Sequence, residues 1–210
     1  MSNIQGLQLS CTSKTAIQVA AGQITQGGQT LVLGQAAQIP LPANSTPHTP
    51  LAVWLVSHNG QTQPRLSENF QDWTGPGQGA RIGTAWIGGD GKFTPFQQTG
   101  AGDKRSYELG GPIAGRTWIK DGQSTSVKTE ARHWTLAPSI VSAKLELSCG
   151  GPSGSASVRN RSNPNQQATQ AAGGTQDVVF TIAPNGGEVD WWTTGDGLET
   201  SVIVIWEELI

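Results

Sequence analysis

The sequence is short of charge and of long apolar runs. Charged residues make up 13% of the 210 positions, about half the usual share, and the formal net charge is −2. A nearly neutral chain exerts no strong attraction on nucleic acid or on an anionic membrane surface. Its apolar runs fall well short of the roughly 20 residues that span a bilayer. We therefore expect no nucleic-acid partner and no membrane insertion, and residues 1–11 lack the basic and apolar segments of a secretory signal.

Cysteine and histidine are also scarce, which limits the metal and redox chemistry open to the chain. The two cysteines, Cys11 and Cys149, are too few for a disulfide scaffold, and their spacing is unlike that of a zinc site. We expect both to be buried free thiols. The histidines have no His, Cys or carboxylate neighbour at metal-ligand spacing; they are His48, His58 and His133. The sequence thus predicts neither a metal nor a cofactor.

Glycine and proline, by contrast, are abundant, with 28 Gly and 12 Pro. Both are poor helix formers, so a helix bundle or a coiled coil is excluded. Disorder is disfavoured because β-branched and aromatic residues occur throughout and the net charge is small. Short apolar or alternating runs lie between the turn-forming residues, which is typical of a sandwich or barrel. The sequence predicts an all-β fold, with short antiparallel strands arranged as a β-sandwich or a barrel-like fold.

The strand pattern recurs along the whole chain. Predicted strands cover 7–11, 30–33, 51–56, 61–66, 81–87, 92–96, 144–149, 178–182, 189–193 and 202–206. Asn59-Gly60 supplies the positive φ angles of a type I′ turn and predicts a hairpin between the third and fourth of these strands. Residues 88–91 predict a second hairpin. Loops are predicted at 73–79, 99–103 and 160–174 because Gly, Pro and polar residues dominate there.

The chain divides by pattern into two halves. We predict an N-terminal β-sandwich portion over 1–105 and a second β portion over 106–210, with one compact domain as the alternative. The pentapeptides LQLSC (7–11) and LELSC (145–149) are nearly identical and would fit two related β lobes. Alternating leucines are, however, what any half-buried strand contains.

Motifs that would indicate catalysis are absent from the sequence. It contains no G-x-S-x-G elbow, no H-E-x-x-H helix and no phosphate-binding loop. Carboxylates such as Asp72, Asp90, Asp190 and Asp196 fall in or beside predicted loops, where Asp favours turn formation. A calcium site over 190–196 would lack the ligand spacing of an EF-hand. We expect a protein that is not an enzyme, with a loop-borne glycosidase as the least favoured alternative.

Tryptophan is the residue class that most directly suggests binding, with eight in the chain. Three lie inside apolar strands and are predicted to lie in the core or at a subunit interface: Trp54, Trp86 and Trp206. Three others are candidates for surface recognition: Trp73, Trp191 and Trp192. Aromatic side chains are enriched at protein contacts, and they also stack on sugar rings. A carbohydrate-binding module is therefore one alternative function.

One stretch of the chain, from Leu51 to Phe96, carries a connected series of features. They are the strand LAVWLVS, the Asn59-Gly60 turn, Arg65-Leu66-Ser67, a Gly/Pro loop and the run ARIGTAWIGGDGKFTPF. This series resembles a module of tailed-bacteriophage structural proteins, especially tail-fibre and other virion-surface proteins, in which an Arg-Ile-Gly strand, a turn and a return strand ending in Phe recur. Residues 17–22 resemble the opening strand and turn of that module. The strands around Leu145 and Val178 and the late Trp206 strand resemble the second sheet of a jelly roll. The resemblance therefore implies an antiparallel β-sandwich with a jelly-roll-like arrangement, in which 106–210 is the C-terminal jelly-roll-like portion.

The resemblance implies a non-enzymatic virion structural protein, made in the host cytoplasm and exposed on the particle surface. Its implied partners are copies of itself, as a trimer, other virion proteins and a host cell-surface glycan. The tail or fibre adsorption apparatus is the favoured location, and a capsid decoration or head-fibre protein is the alternative. The sequence shows neither the attachment domain nor the coiled-coil stalk of typical fibre proteins, so the position on the particle stays open.

Overall fold

The fold is all-β. The structure is a computed structural model and describes residues 3–47, 49–88, 90–109, 132–135, 140–149, 154–171, 173–181, 188–194 and 200–210. All the regular secondary structure in these ranges is β-strand. The strand pairs whose register is resolved are antiparallel. The predicted all-β, antiparallel class is thereby confirmed, and the sheets are compatible with a β-sandwich. Within the same ranges no helix is long and apolar enough to cross a membrane.

Eighteen strands are present in the described part of the chain. They are β1 (Asn3–Gly6), β2 (Leu9–Cys11), β3 (Ala16–Val19), β4 (Gly22–Gln26), β5 (Gln29–Leu33), β6 (Ala37–Pro40), β7 (Pro50–His58), β8 (Gln61–Ser67), β9 (Gln78–Trp86), β10 (Phe96–Ala101), β11 (Lys104–Leu109), β12 (Arg132–Thr135), β13 (Ile140–Cys149), β14 (Ser155–Asn160), β15 (Gln167–Ala171), β16 (Gly174–Thr181), β17 (Glu188–Thr194) and β18 (Thr200–Leu209).

The chain packs as two compact units. Unit 1 comprises Met1–Tyr107 together with Glu207–Ile210, and unit 2 comprises Glu108–Trp206. The sequence-based division was 1–105 and 106–210, whereas the structure returns the last four residues to unit 1. Unit 2 is therefore an insertion in the sequence of unit 1.

Unit 1 contains three groups of strands. Two are three-stranded sheets, ordered β1-β4-β5 and β8-β7-β9, and in the third β11, β10, β2, β3 and β6 follow one another. Alternating apolar side chains from these strands form the core. The largest fully buried apolar ones are Tyr107, Phe93, Phe96, Leu7, Leu9, Ile17, Ile24, Leu55 and Ile82.

The first predicted hairpin is confirmed. β7 and β8 pair up to His58 opposite Gln61, and Asn59 and Gly60 have φ of 51° and 76°, as a type I′ turn requires. Pro64 lies within β8, which is the outer strand of its sheet, where a missing N–H disrupts no further pairing.

The second predicted hairpin is only partly present. Residues 92–96 do not form a return strand; a single bridge joins Ile87 to Phe93, and the next strand begins at Phe96. Pro95 explains the difference, because it has no backbone N–H to donate to a ladder.

Two predicted loops contain strands instead. β10 runs on to Ala101 and β11 starts at Lys104, so the loop at 99–103 is reduced to a tight turn. In unit 2, residues 167–171 form β15 and pair with β14, although 160–174 was predicted to be a loop. The side chains of β15 are Gln, Ala and Thr, so the segment lacks the apolar alternation that marks a strand.

Unit 2 holds one four-stranded sheet, ordered β12-β17-β14-β15, and the long β13–β16 pair. The predicted strands at 144–149 and 189–193 lie within β13 and β17, and the one at 178–182 overlaps β16 up to Thr181. Of the two similar pentapeptides, LELSC (145–149) lies in β13, and LQLSC (7–11) covers β2 and the two residues before it. Each ends at the cysteine that is the last residue of its strand.

Candidate functional site

Five polar side chains of unit 1, carried by four strands, meet in its interior. This Glu208 cluster consists of Arg81 and Thr84 on β9, Gln98 on β10, Tyr107 on β11 and Glu208 on β18. Thr84, Gln98, Tyr107 and Glu208 are each 0% exposed. A buried carboxylate is costly unless hydrogen bonds and an opposite charge compensate for the lost water.

Three donors converge on the Glu208 carboxylate. Thr84 Oγ1 donates to Oε1 at 2.6 Å, and an Arg81 guanidinium nitrogen donates to the same oxygen and forms an ion pair with it. The Tyr107 hydroxyl donates to Oε2. These charge-assisted bonds are stronger than neutral ones and hold the end of β18 against β9.

Tyr107 connects the carboxylate to the rest of the core. Its hydroxyl oxygen accepts from the Thr84 backbone N–H at 2.9 Å and from Gln98 Nε2 at 2.7 Å. Gln98 in turn accepts from the backbone N–H of Leu9 at 3.0 Å. Burial, followed by the charge of Glu208 and the hydrogen bond to it, raises the pKa of Tyr107 well above its usual value of 10.0. The phenol therefore stays a hydrogen-bond donor.

A β-bulge in β9 brings Arg81 and Thr84 to the same carboxylate. Successive side chains of a regular strand alternate between faces, so positions three apart would point to opposite sides. The register between β7 and β9 shifts here, with Val53 opposite Gly83 but Trp54 opposite Arg81, which makes Ile82 the extra residue. A bulge of this kind re-aims the side chains that flank it.

Gly83 makes room for the centre of the Glu208 cluster. A Cβ at this position would lie 2.5 Å from the Tyr107 hydroxyl oxygen and 2.7 Å from Gln98 Nε2. Any side chain at position 83 would therefore displace both hydrogen-bonding groups. In the Arg-Ile-Gly run, Arg81 is the ion-pair partner of Glu208 and Ile82 is the extra residue of the bulge. Gly83 allows the backbone to approach the Tyr107 hydroxyl closely.

The same interior holds a closed aromatic group formed by Trp86, Phe96 and Tyr107. The Trp86 ring lies 5.0 Å from Tyr107 and 5.8 Å from Phe96, in edge-to-face contacts with interplanar angles of 84° and 90°. Phe96 and Tyr107 are 5.6 Å apart. Edge-to-face pairs of this spacing stabilise a core beyond their apolar burial.

A second feature of unit 1 is an open cleft beside Trp73, with a volume of about 340 Å³. Its walls come from β4, β7, β9, the 70–73 segment and the end of the chain. The lining residues are Gln26, Trp54, Phe70, Gln71, Asp72, Trp73, Gly79, Arg81 and Ile210. We call it the Trp73 cleft.

The indole of Trp73 is held in place from several sides. Its Nε1 donates to the Pro76 carbonyl at 3.2 Å, and its ring is tilted by 49° against that of Trp54 at 6.3 Å. Two glycines complete the clamp: a Cβ on Gly75 would lie 2.5 Å from the indole Cζ2, and one on Gly79 would lie 2.6 Å from its Cγ. The loop sequence WTGPGQG thus positions a half-buried aromatic ring beside the cleft.

The structure separates the predicted tryptophan sites. Trp54 and Trp86 lie in the core of unit 1, at 4% and 5% exposure, so each is already covered by its own chain. Trp73 lies at the cleft. The backbones of Trp191 and Trp192 lie in β17 and that of Trp206 in β18; their side chains fall outside the described residues. Their roles in recognition or at a subunit interface stay predictions.

Sequence reasoning missed Glu208, Tyr107 and Gln98, and it assigned Asp72 only to turn formation. One indication was available, because Tyr107 is the chain's single tyrosine and lies two positions after Arg105, the spacing of side chains on one face of a strand, in a segment where no strand was predicted. Glu208 could not have been found from local pattern, since its partner Arg81 is 127 positions away.

Other chemistry is sparse in the described part of the chain. No group of three or more His, Cys, Asp or Glu side chains there is placed to hold a metal ion. Cys11 is buried and free as expected, and burial raises the pKa of its thiol; the Cys149 side chain lies outside the described residues. Comparison with known protein families, with curated proteins and with solved structures found no match.

Proposed function

We propose that this chain is a non-enzymatic structural protein of a tailed-bacteriophage virion. Its work would be assembly and contact with the host surface, in the tail or fibre adsorption apparatus. The observation that carries the structural, non-enzymatic part of the proposal is the burial of the Glu208 carboxylate, which is 0% exposed. Of the cluster only Arg81 also lines the Trp73 cleft, so the buried carboxylate and its other partners serve to fix the packing of the scaffold. Recognition is then left to the loops, as is usual for rigid β scaffolds.

Two further observations support this role. The Arg-Ile-Gly run at 81–83, which carries the resemblance to virion proteins, is the run that builds the bulge and the ion pair. In addition, β5 is the outer strand of its sheet and presents Val32, an apolar side chain that is 51% exposed. Outer strands with exposed apolar side chains are suited to pairing with another chain. The proposed partners are further copies of this chain, as a homotrimer, and other virion proteins.

The location is tested by quantitative mass spectrometry of purified particles. We expect a few copies per particle, as for a tail component. A copy number comparable to that of the major capsid protein would instead favour the alternative, a capsid decoration or head-fibre protein. Absence from the particle would overturn the virion assignment. Light scattering of the purified chain tests the trimer, which a monomer at micromolar concentration would contradict.

A carbohydrate-binding module is the second candidate function. It is favoured by a specific observation, namely that the Trp73 cleft combines a clamped, half-buried indole with exposed amide and carboxylate side chains. The two functions are compatible, because a virion protein that contacts a cell surface can do so through a glycan.

A further inference from the structure

The Trp73 cleft offers an aromatic platform whose orientation is set before any ligand arrives. The indole N–H is already bonded to Pro76, and Gly75 and Gly79 leave the ring no space to swing toward them. A ring held in this way loses little conformational entropy when it binds, which favours affinity. The ring is half-buried and lines the cleft, so its exposed part offers an apolar surface suited to the C–H face of a sugar.

The polar groups around the platform suit hydroxyl ligands. Gln26, Gln71 and Asp72 are exposed and line the cleft. Each amide offers both a donor and an acceptor, and a carboxylate accepts from hydroxyl groups in charge-assisted bonds. A ligand that presents several hydroxyls around an apolar face would meet complementary groups on both.

The charge of the cleft selects among such ligands. Arg81 is the cationic residue of the lining, and its ion pair with Glu208 compensates its charge within the core. Asp72 takes part in neither of the ion pairs found among the described residues. No ion pair therefore compensates its negative charge at the cleft. A negatively charged ligand close to Asp72 is repelled, and at contact distance part of this repulsion survives screening by solvent. The cleft therefore disfavours carboxylated or sulfated sugars.

The cleft volume of about 340 Å³ lies at the lower end of the roughly 300–1,000 Å³ found for small-molecule sites. We infer that the Trp73 cleft binds one neutral saccharide ring, stacked on Trp73 and hydrogen-bonded through Asp72 and the two glutamines. This inference deepens the proposed contact with a host-surface glycan and rests on it for its biological use. It names the site and the ligand class.

The inference is tested on the purified full chain by saturation-transfer NMR. The neutral probes are methyl glucoside, methyl galactoside, methyl mannoside and N-acetylglucosamine, and the acidic probe is glucuronate. We expect at least one neutral probe to bind with a dissociation constant in about the millimolar range, as a single small ring allows. Glucuronate should bind several-fold more weakly.

Substitutions locate the binding. Trp73→Ala should abolish it, and Trp73→Phe, which keeps an aromatic face, should retain part of it. Asp72→Asn should weaken binding of the neutral probe. It should also reduce the ratio between the affinity for the neutral probe and the affinity for glucuronate. Glu68→Gln, a change at an exposed carboxylate outside the cleft lining, is the matched control. It should leave both the affinity for the neutral probe and the affinity ratio unchanged.

Gly75→Ala separates platform orientation from direct contact, because Gly75 is not a lining residue but its new methyl group would push the indole aside. We expect a several-fold loss of binding. Gly34→Ala is the control, since a Cβ there meets nothing within 4 Å. Gln26→Ala, at a lining residue on β4, tests the cleft without touching the loop in case Trp73→Ala perturbs folding.

Three results would overturn the inference: no neutral probe binds, binding persists unchanged in both Trp73→Ala and Gln26→Ala, or glucuronate binds more tightly than every neutral probe. Such a result leaves the virion assignment intact, since that is decided by the copy number in particles. Conversely, a chain absent from particles that still binds a neutral sugar would retain the site and lose the proposed location.

Discussion

Trp86 and Trp73 show two ways in which one unit of this protein uses an indole. Trp86 is surrounded on the inside by Phe96 and Tyr107 and is 5% exposed. Trp73 is held by Trp54 and by a Gly/Pro loop, which leaves part of it beside an open cleft. The difference shows that packing density around an aromatic, rather than its residue type, separates a core position from a candidate binding position.

Replacing each indole in turn gives the largest expected difference in stability between the two positions. Trp86→Ala should lower the free energy of unfolding by about 3–5 kcal/mol, because it opens a cavity in a closed aromatic group. Trp73→Ala should cost only about 1 kcal/mol, as is common for a partly exposed position. Urea unfolding followed by circular dichroism measures both. Equal losses would mean that Trp73 is a core residue in the same sense as Trp86.

Glu208→Gln tests whether the closed interior depends on the ion pair. The amide keeps the shape but removes the charge and places an NH₂ group where donors already converge. We expect a loss of about 3 kcal/mol, the lower end for breaking a buried pair. Glu68→Gln, at an exposed position, is the control and should change the unfolding midpoint little. A similarly small effect at 208 would contradict a stabilising role for the Glu208 cluster.

Gly83→Ala adds a single methyl group to the same interior. Because its Cβ would meet the Tyr107 hydroxyl oxygen at 2.5 Å, we expect a loss of about 1–3 kcal/mol from overpacking. Gly34→Ala, in open space, should be near neutral. Thermal unfolding of the two variants side by side gives the comparison, and an unchanged midpoint at Gly83→Ala would rule out the close approach.

The smallest effect appears only at alkaline pH. The folded-state pKa of Tyr107 lies above its unfolded value of 10.0, so its contribution to stability is complete below that pH and is lost as pH rises through the folded pKa. One pH unit above 10.0, the free energy of unfolding of the native protein should have fallen by about 1 kcal/mol more than that of Tyr107→Phe. Tyr107 is the single tyrosine, so tyrosinate absorbance reports on it alone. Titration of the folded protein near pH 10.0 would refute its burial.

Local pattern was enough to predict much of the fold. The Asn59-Gly60 turn and the apolar strand before it were found because both depend on neighbours in sequence. β15 was missed because its side chains are polar on both faces, and the return strand after residue 91 was wrongly predicted because Pro95 interrupts it.

The candidate sites divide in the same way. Trp73 was predicted from a Gly/Pro loop that is local in sequence, and the glycines that clamp it lie within six residues of it. The Glu208 cluster joins positions 101 to 127 residues apart, and its geometry depends on a bulge that arises only from strand pairing. No pattern read along one segment contains that information.

The position of Glu208 near the end of the sequence also constrains how the chain can fold. During synthesis, Arg81, Thr84 and Tyr107 emerge about a hundred residues before their shared acceptor. Until then the interior of unit 1 contains donors without that carboxylate, while the whole of unit 2 is being made. Contacts of such long range form slowly, because the loop between them must first be closed. Unit 1, although it begins first, is therefore expected to reach its final packing only after unit 2 and residue 208 have been made.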